Sequence, residues 1–548
     1  MLEGCTPYPP EFVERYVREG YWRAETIPQA IATIANRIEL TRPDAVAVAD
    51  GRRRLSFRQL ADDAAAVAAL LERIGLHRGD RIVIQLPNCN EFASLLLGCL
   101  EAGVVPVLAL PAFRRAELEY LADFSRSRAV AIAPQFRGFD HAALARDLRE
   151  AVPSLEMILS TERSVGCVSL AELPADFAPL GSRENDPFDV AFFLLSGGTT
   201  GLPKLIARLH TEYLYNARES SKACGVDGAS RMLIALPVEH NFPLGCPGMM
   251  GALLNGATTI FAQTTQPAEL ASIAAREGAT HLPCVPTLAL GLIELHGAAR
   301  ESLSALRIVT VGGQKLQEPT AAALKRAYPH VTVQQVLGMA EGLLCYTRLD
   351  DPEAVAFNTQ GRPLSTADEI RIVDDAGNDV AEGHGGELWC RGPYTLRGYY
   401  RASERNRDAF TADGFYKTGD LVRRDPSGSL IVDGRVKDLI NRGGEKISAE
   451  DIESHLLAHP AVARAAVVAM SDAVLGEKGC AYVTLRSGAT LGLDALRDFL
   501  AARGVAKFKW PERLEIISEM PLTNVGKVRK IELRADIATK LAGERAGS

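Results

Sequence analysis

One stretch limits what this chain can fold into more than any other. An apolar, aromatic run, Val190 to Leu195, passes straight into Ser196-Gly197-Gly198-Thr199-Thr200-Gly201-Leu202-Pro203-Lys204. The run has the length and composition of a buried strand. The three glycines after it admit backbone angles closed to other residues. The hydroxyls of Ser196, Thr199 and Thr200 stand among them, and Lys204 closes the stretch. Backbone amides, hydroxyls and one ammonium on a flexible loop suit a polyphosphate. The plain alternative for such a Gly/Ser/Thr cluster is a surface connection between two elements. The spacing is not that of the common P-loop: a proline precedes the lysine, and Leu205 stands where that motif needs a metal-binding Ser or Thr.

The rest of the chain must supply a framework for this loop. Its 548 residues are too many for one core, so two or more domains are expected. A hydrophobic share of 47% with 24% charged residues is that of an ordinary globular protein, and a net charge of -7 argues against a nucleic-acid partner. The ten cysteines show no zinc spacing; Cys99, Cys284 and Cys390 sit in apolar contexts and read as small buried hydrophobes, a pattern suited to a reducing cytoplasm. Met1 to Glu14 lacks the apolar core of a signal peptide. Glu101, Gly103 and Pro106 interrupt the most apolar segment, Phe92 to Leu110, which reads as a buried helix then a strand and not as a membrane span.

Strands and helices alternate to about residue 340, which predicts α/β architecture with largely parallel sheets. Thr26 to Ile38 has helical spacing, and Ser56 with Gln59 forms a capping box for a helix ending near Gly75. A strand over Arg81 to Leu86, a helix over Asn90 to Ala102 and a strand over Val104 to Leu110 follow. After about residue 350 short strand-like runs, Glu369 to Val373, Gly386 to Arg391 and Ser429 to Val432, predict a small β-rich unit. Ser448 and Asp451 make a further capping box, for a helix to about His459. Beyond it Ala465 to Ala469, Gly479 to Leu485, Leu493 to Ala502 and Arg513 to Ile517 read as a separate α+β domain of about a hundred residues, a usual size, beginning near Lys437.

The Ser196 to Lys204 string resembles the phosphate-binding signature of the adenylate-forming superfamily: acyl-CoA synthetases, luciferases and the adenylation domains of nonribosomal peptide synthesis. Further stretches extend the resemblance. Val336-Leu337-Gly338-Met339-Ala340-Glu341-Gly342 is similar to the motif whose acidic residue helps hold Mg²⁺, which implies that role for Glu341. Val311-Gly312-Gly313-Gln314 matches the loop that faces adenine. Tyr416-Lys417-Thr418-Gly419-Asp420 matches the motif whose aspartate accepts bonds from the ribose hydroxyls, and Arg435 matches a second ribose contact. Pro521-Leu522-Thr523-Asn524-Val525-Gly526-Lys527 resembles the motif that delivers a catalytic lysine to the acyl carboxylate and the α-phosphate. The implied layout is a large N-terminal domain, residues 1–436, of α/β subdomains plus a small β-rich unit, and a mobile α+β C-terminal domain, residues 437–548. Lys437 is the implied hinge, and ATP with Mg²⁺ the implied cofactors. Rotation would present Gly443-Gly444 beside a pantetheine tunnel for thioester formation.

Pro237-Val238-Glu239-His240-Asn241-Phe242-Pro243-Leu244-Gly245-Cys246-Pro247-Gly248 narrows the resemblance to the stand-alone aryl-acid adenylating enzymes of siderophore assembly. In that subgroup the match to Asn241 bonds the 2-hydroxyl of the acid, and an amide can both donate and accept. Phe242 would stack on the ring, Gly313 would also border it, and His240, counted with Lys527 as catalytic, would wall the pocket near the carboxylate. A neutral Asn241 disfavours an amino acid. Cys246 favours salicylate over 2,3-dihydroxybenzoate, because a thiol is a poor partner for a 3-hydroxyl. An aryl carrier protein with a phosphopantetheine arm is the implied acceptor. An aryl-CoA ligase using free CoA, and a binding protein with an inactive adenylation fold, are the rival readings.

Overall fold

The computed structural model describes residues 1–548 except 197–202, 443–444, 473–474, 504, 506, 524–525 and 547–548. The strand predicted at Val190–Leu195 lies inside a sheet whose order runs Leu205–Leu209, Val190–Leu195, Val105–Leu108, Arg81–Gln85, Ala129–Ile132, Met157–Ser160, Val168–Ser169. Its pairing is parallel except for the antiparallel Val190–Leu195 and Leu205–Leu209 pair. Both faces of such a sheet must be covered, which is why its strands read as continuous apolar runs.

A second sheet has a parallel centre, Thr332–Met339, Ile308–Gly312, His281–Cys284, Arg231–Ile234, Thr258–Phe261 and Val46–Ala49. Antiparallel strands close its edges: Gly342–Tyr346 and Arg362–Pro363 at one, Arg54–Ser56 at the other. The predicted helices are where the caps put them. Thr26 and Ser56 each form a reciprocal capping box, with Gln29 and Gln59, for the helices Ile27–Thr41 and Phe57–Arg73. The Asn90–Ala102 helix is buried along nearly its whole length, and its left-handed cap Gly103 turns the chain back into the sheet. Among the described residues, no helix is long and apolar enough to cross a membrane.

The β-rich unit is an antiparallel sheet of Glu369–Val373, Gly386–Arg391, Tyr416–Arg424 and Leu430–Arg435. Tyr416–Arg424 is the strand the sequence conceals. Gly419, at φ +72°, and the register shift after Leu421 give it the look of a turn. A 3-10 turn, Val436–Asp438, then leads into strands and helices with apolar cores of their own, drawn from residues 440–541. The capping box expected at Ser448 is half formed. Ser448 Oγ accepts the Asp451 N–H at 3.3 Å, but the Asp451 carboxylate turns to Lys509 Nζ at 2.8 Å.

The segment Asn241–Cys246 is held by a tight return at Gly248. That residue has φ +48°, and a Cβ there would lie 2.0 Å from the Pro243 carbonyl oxygen. Gly248→Ala is expected to destabilise the protein by more than about 1 kcal/mol in denaturant titration. A neutral outcome would mean that the return relaxes without cost.

Candidate active site

The two ends of the glycine-rich stretch are clamped together. Ser196 N–H donates to the Lys204 carbonyl at 2.9 Å, and Lys204 N–H donates to Ser196 Oγ at 3.1 Å. Gly197, Gly198, Thr199, Thr200 and Gly201, singled out in the sequence, lie outside the described residues, as do Gly443 and Gly444. The Lys204 ammonium sits 4.7 Å from the centre of the Tyr399 ring. Burial and Arg405 hold its pKa below the usual lysine value, with Glu341 opposing.

Glu341 enters the same space from the turn between Thr332–Met339 and Gly342–Tyr346. Its Oε1 accepts from the Tyr399 hydroxyl at 2.9 Å, and Tyr399 meets the Tyr416 hydroxyl at 2.9 Å. Gly342 must be glycine: φ is +147°, and a Cβ would stand 2.4 Å from Thr395 Cα. Gly338 is exposed, with Met339 and Ala340 half-buried beyond it.

Asp420 and Arg435 are cross-strand partners, and Arg435 Nε donates to Asp420 Oδ1 at 2.5 Å. Lys527 arrives from the C-terminal part of the chain. Its Cε lies 3.3 Å from where a Cβ on Gly313 would be, so a larger residue would crowd it. Burial is the main cause of a lowered Lys527 pKa; Arg435 adds to it, while Asp420 and Glu341 oppose it. Gly526, at φ +78°, approaches Thr287 so closely that a Cβ would sit 2.6 Å from its Oγ1. Lys437 is in the Val436–Asp438 turn, its pKa lowered first by burial and then by Arg435. Gln314 is exposed on the loop after Ile308–Gly312.

The Asn241 to Cys246 segment is buried beside these groups, apart from a partly exposed Phe242. Phe242 Cε1 lies 3.4 Å from the Cβ position of Gly312. Among the described residues His240 Nε2 is buried with no hydrogen-bond partner, and burial together with Lys527 lowers the ring to about 4, so the imidazole is neutral. The Asn241 amide is already engaged. Its Oδ1 accepts from the Tyr213 hydroxyl at 2.9 Å, and its Nδ2 donates to the Met339 carbonyl at 3.4 Å. The Cys246 thiol, fully buried, faces the Asn216 amide at 3.6 Å. The structure thus brings Lys204, Glu341, Asp420, Arg435, Lys527, His240 and Asn241 into one region.

Tyr399, Arg208, Glu212, Tyr213 and Asn216 belong to this region and escape sequence reasoning. Arg208 and Glu212 did carry a signal, an opposite-charge pair four residues apart at a strand-to-helix junction. Both side chains are 2% exposed. Glu239 is a further surprise. It is buried, and among the described residues neither carboxylate oxygen has a partner.

Residues 35–400 match the AMP-binding enzyme family, and residues 451–527 match the AMP-binding enzyme C-terminal domain. The fold and both matches define an adenylating ligase: the chain belongs to the AMP-binding enzyme family. It is 47% identical to a Streptomyces salicylyl-CoA synthase / salicylate adenylyltransferase over 97% of each chain. It is 42% identical to the 2,3-dihydroxybenzoate-AMP ligase of Bacillus subtilis over 99% of each. Identity is also 42% to the salicyl-AMP ligase / salicyl-S-ArCP synthetase of Mycobacterium tuberculosis, over 96% of this chain and 94% of that one. Among solved structures, apo MbtA of Mycobacterium smegmatis matches with TM-score 0.73 at 43% identity, over 97% of this chain and 98% of that chain.

Burial raises the Glu239 pKa well above the usual carboxylate value. A carboxyl held protonated in the fold and ionised when unfolded makes stability fall as pH rises above the unfolded pKa, by up to about 1.4 kcal/mol per pH unit. The fall ends once pH passes the folded pKa. Glu239→Gln should therefore lose less stability than the parent between pH 5 and pH 8 in thermal melts. Parallel curves for the two proteins would show that the carboxyl does not titrate on unfolding.

Proposed function

We propose that this enzyme activates salicylate with ATP to salicyl-AMP, releases pyrophosphate, and passes the acyl group to the phosphopantetheine thiol of an aryl carrier protein in siderophore assembly. The observation that carries this reading is the position of Lys527. It stands over Gly313, between the Asp420, Arg435 and Glu341 cluster and the His240 to Cys246 wall. A carboxylate bound against that wall would meet the α-phosphate of ATP beside this ammonium.

In this reading the Ser196 to Lys204 loop and Lys204 hold the phosphates, Gly312, Gly313 and Gln314 face adenine with Gly338, Met339 and Ala340, and Asp420 and Arg435 hold the ribose. One acidic side chain plus phosphate oxygens fits Mg²⁺, which takes few protein ligands, and among the described residues no larger cluster of ligating side chains occurs. Glu341 would hold that ion, which neutralises phosphate charge. The salicylate carboxylate oxygen attacks the α-phosphorus, and the bond to pyrophosphate breaks. Lys527 offsets the negative charge that both anionic reactants bring together. Neutral His240 has a ring nitrogen available for the substrate carboxylate. No covalent enzyme intermediate is needed, because positioning and charge neutralisation lower the barrier. The domain boundary at 436/437, with Lys437 as hinge, would let the C-terminal domain turn for the thioester step. Free thiols at ten cysteines suit a cytoplasmic setting.

Salicylate is preferred to 2,3-dihydroxybenzoate because a serine at 246 could bond a 3-hydroxyl and a thiol does so poorly. The relatives' names include both acids. Since a pocket without a polar partner rejects an added hydroxyl by only about a hundredfold, 2,3-dihydroxybenzoate should remain a weaker substrate. ATP–pyrophosphate exchange should be strongest with salicylate, and Cys246→Ser should raise exchange with 2,3-dihydroxybenzoate relative to salicylate. An unchanged ratio would remove Cys246 from the argument; no exchange with any aryl acid would remove the pocket.

Free CoA is the second candidate acceptor, because one relative is also named a CoA synthase. Thioester formation with CoA against an aryl carrier domain at equal concentration separates the two. Lys527→Ala should slow adenylation by about a hundred- to a thousandfold, the scale of one lost charge-stabilising group. It should largely spare thioester formation from supplied salicyl-AMP. An equal loss in both half-reactions would contradict a lysine that serves one of them.

A further inference from the structure

The Asn241 amide has two hydrogens to donate and two lone pairs to fill. The Met339 carbonyl can only accept, so the atom facing it, at 3.4 Å, must be the amide nitrogen. That orientation puts Oδ1 toward Tyr213, whose hydroxyl donates to it at 2.9 Å. Tyr213 is itself closely packed. It is buried, its ring meets Phe192 edge-on at 4.7 Å, and the Arg208 guanidinium lies 5.0 Å from its centre. Burial raises the phenol pKa well above its usual value, so the hydroxyl keeps its proton as donor.

From this geometry we infer that Tyr213 is a positioning residue for substrate choice: it locks Asn241 so that one N–H, and not its carbonyl, reads the ortho position of the aryl acid. The inference rests on the aryl-acid reading of the pocket. Among the described residues, one amide hydrogen remains after Met339 is served. Buried N–H groups without partners are rarer than carbonyls with a spare lone pair, so this hydrogen is the demand the substrate must meet. An ortho-hydroxyl meets it by accepting. An ortho-amino group conjugated to the ring is a poor acceptor, and a bare C–H offers nothing. The locked amide therefore selects 2-hydroxy acids over both 2-amino acids and unsubstituted benzoates. Freed of Tyr213, the amide could turn and present its oxygen instead.

The test compares kcat/KM for salicylate, anthranilate and benzoate in pyrophosphate exchange. The intact enzyme should favour salicylate, with anthranilate close to benzoate. Anthranilate as good as salicylate, both above benzoate, would overturn the lock while leaving an ortho-reading pocket in place. Salicylate no better than benzoate would overturn the aryl-acid reading, and the lock with it. Tyr213→Phe keeps the ring packing and removes only the hydroxyl. It should lower the salicylate-to-benzoate and salicylate-to-anthranilate ratios about tenfold, chiefly through KM for salicylate. A uniform fall for all three acids, or unchanged ratios, would show that Tyr213 only supports the fold. In an Asn241→Ala background the same change should leave the ratios where Asn241→Ala alone puts them; a further tenfold shift would overturn the coupling.

Discussion

The region depends on one buried ion pair. Arg208 donates to both oxygens of Glu212 at 2.7 Å, and both side chains are almost wholly removed from water. A pair so placed is costly to desolvate and stands only if its remaining polar groups are satisfied. They are. Arg208 also donates to the carbonyls of Ala340 at 2.8 Å and Tyr394 at 3.3 Å, and Glu212 accepts the Leu209 N–H at 2.9 Å. The pair therefore ties together the strand that follows the glycine-rich loop, the turn that carries Glu341, and the segment just after the Gly386–Arg391 strand of the β-rich unit. Breaking it would leave a charge buried without a partner, at a cost of about 3–5 kcal/mol. The helix it opens, His210–Ala223, then presents Tyr213 to Asn241 and Asn216 to Cys246.

The sequence made the framework legible where local signals were strong. Capping boxes at Thr26 and Ser56, the unbroken apolar helix Asn90–Ala102 and the apolar strands of the parallel sheets are determined by short-range chemistry. It was less informative where tertiary pairing overrides local preference. The Tyr416–Arg424 strand contains a glycine with positive φ and would pass for a turn in isolation; only pairing on both sides makes it a strand. At Ser448 the residue types of a capping box were present, but a nearby lysine competed for the aspartate.

The site divides in the same way. Groups in contiguous motifs, such as Glu341, Asp420 and Lys527, could be singled out from the string alone. Their supports could not. Tyr399 reaches Glu341 across 58 positions, and Tyr213 reaches Asn241 across 28. Nothing in a single sequence signals a hydroxyl that will find an amide so far along the chain. Nor does it signal that Glu239, next to His240, will be buried without a partner.

The C-terminal residues pack around cores of their own and meet the larger part both at polar contacts and where Gly526 and Lys527 lie against Val285, Thr287 and Gly313. Ser454 Oγ donates to Gln317 at 2.8 Å, and Ser448 Oγ donates to the Asp433 carbonyl. One short turn, Val436–Asp438, joins the two parts. Lys527 is thus carried by a folded unit and not by a loose strand, so its place over Gly313 is fixed by how that unit seats on the larger part. A substitution at that seat, remote from the reacting atoms, would shift the ammonium as a lever shifts its tip, and a misplacement of about 1 Å is enough to cost catalysis dearly.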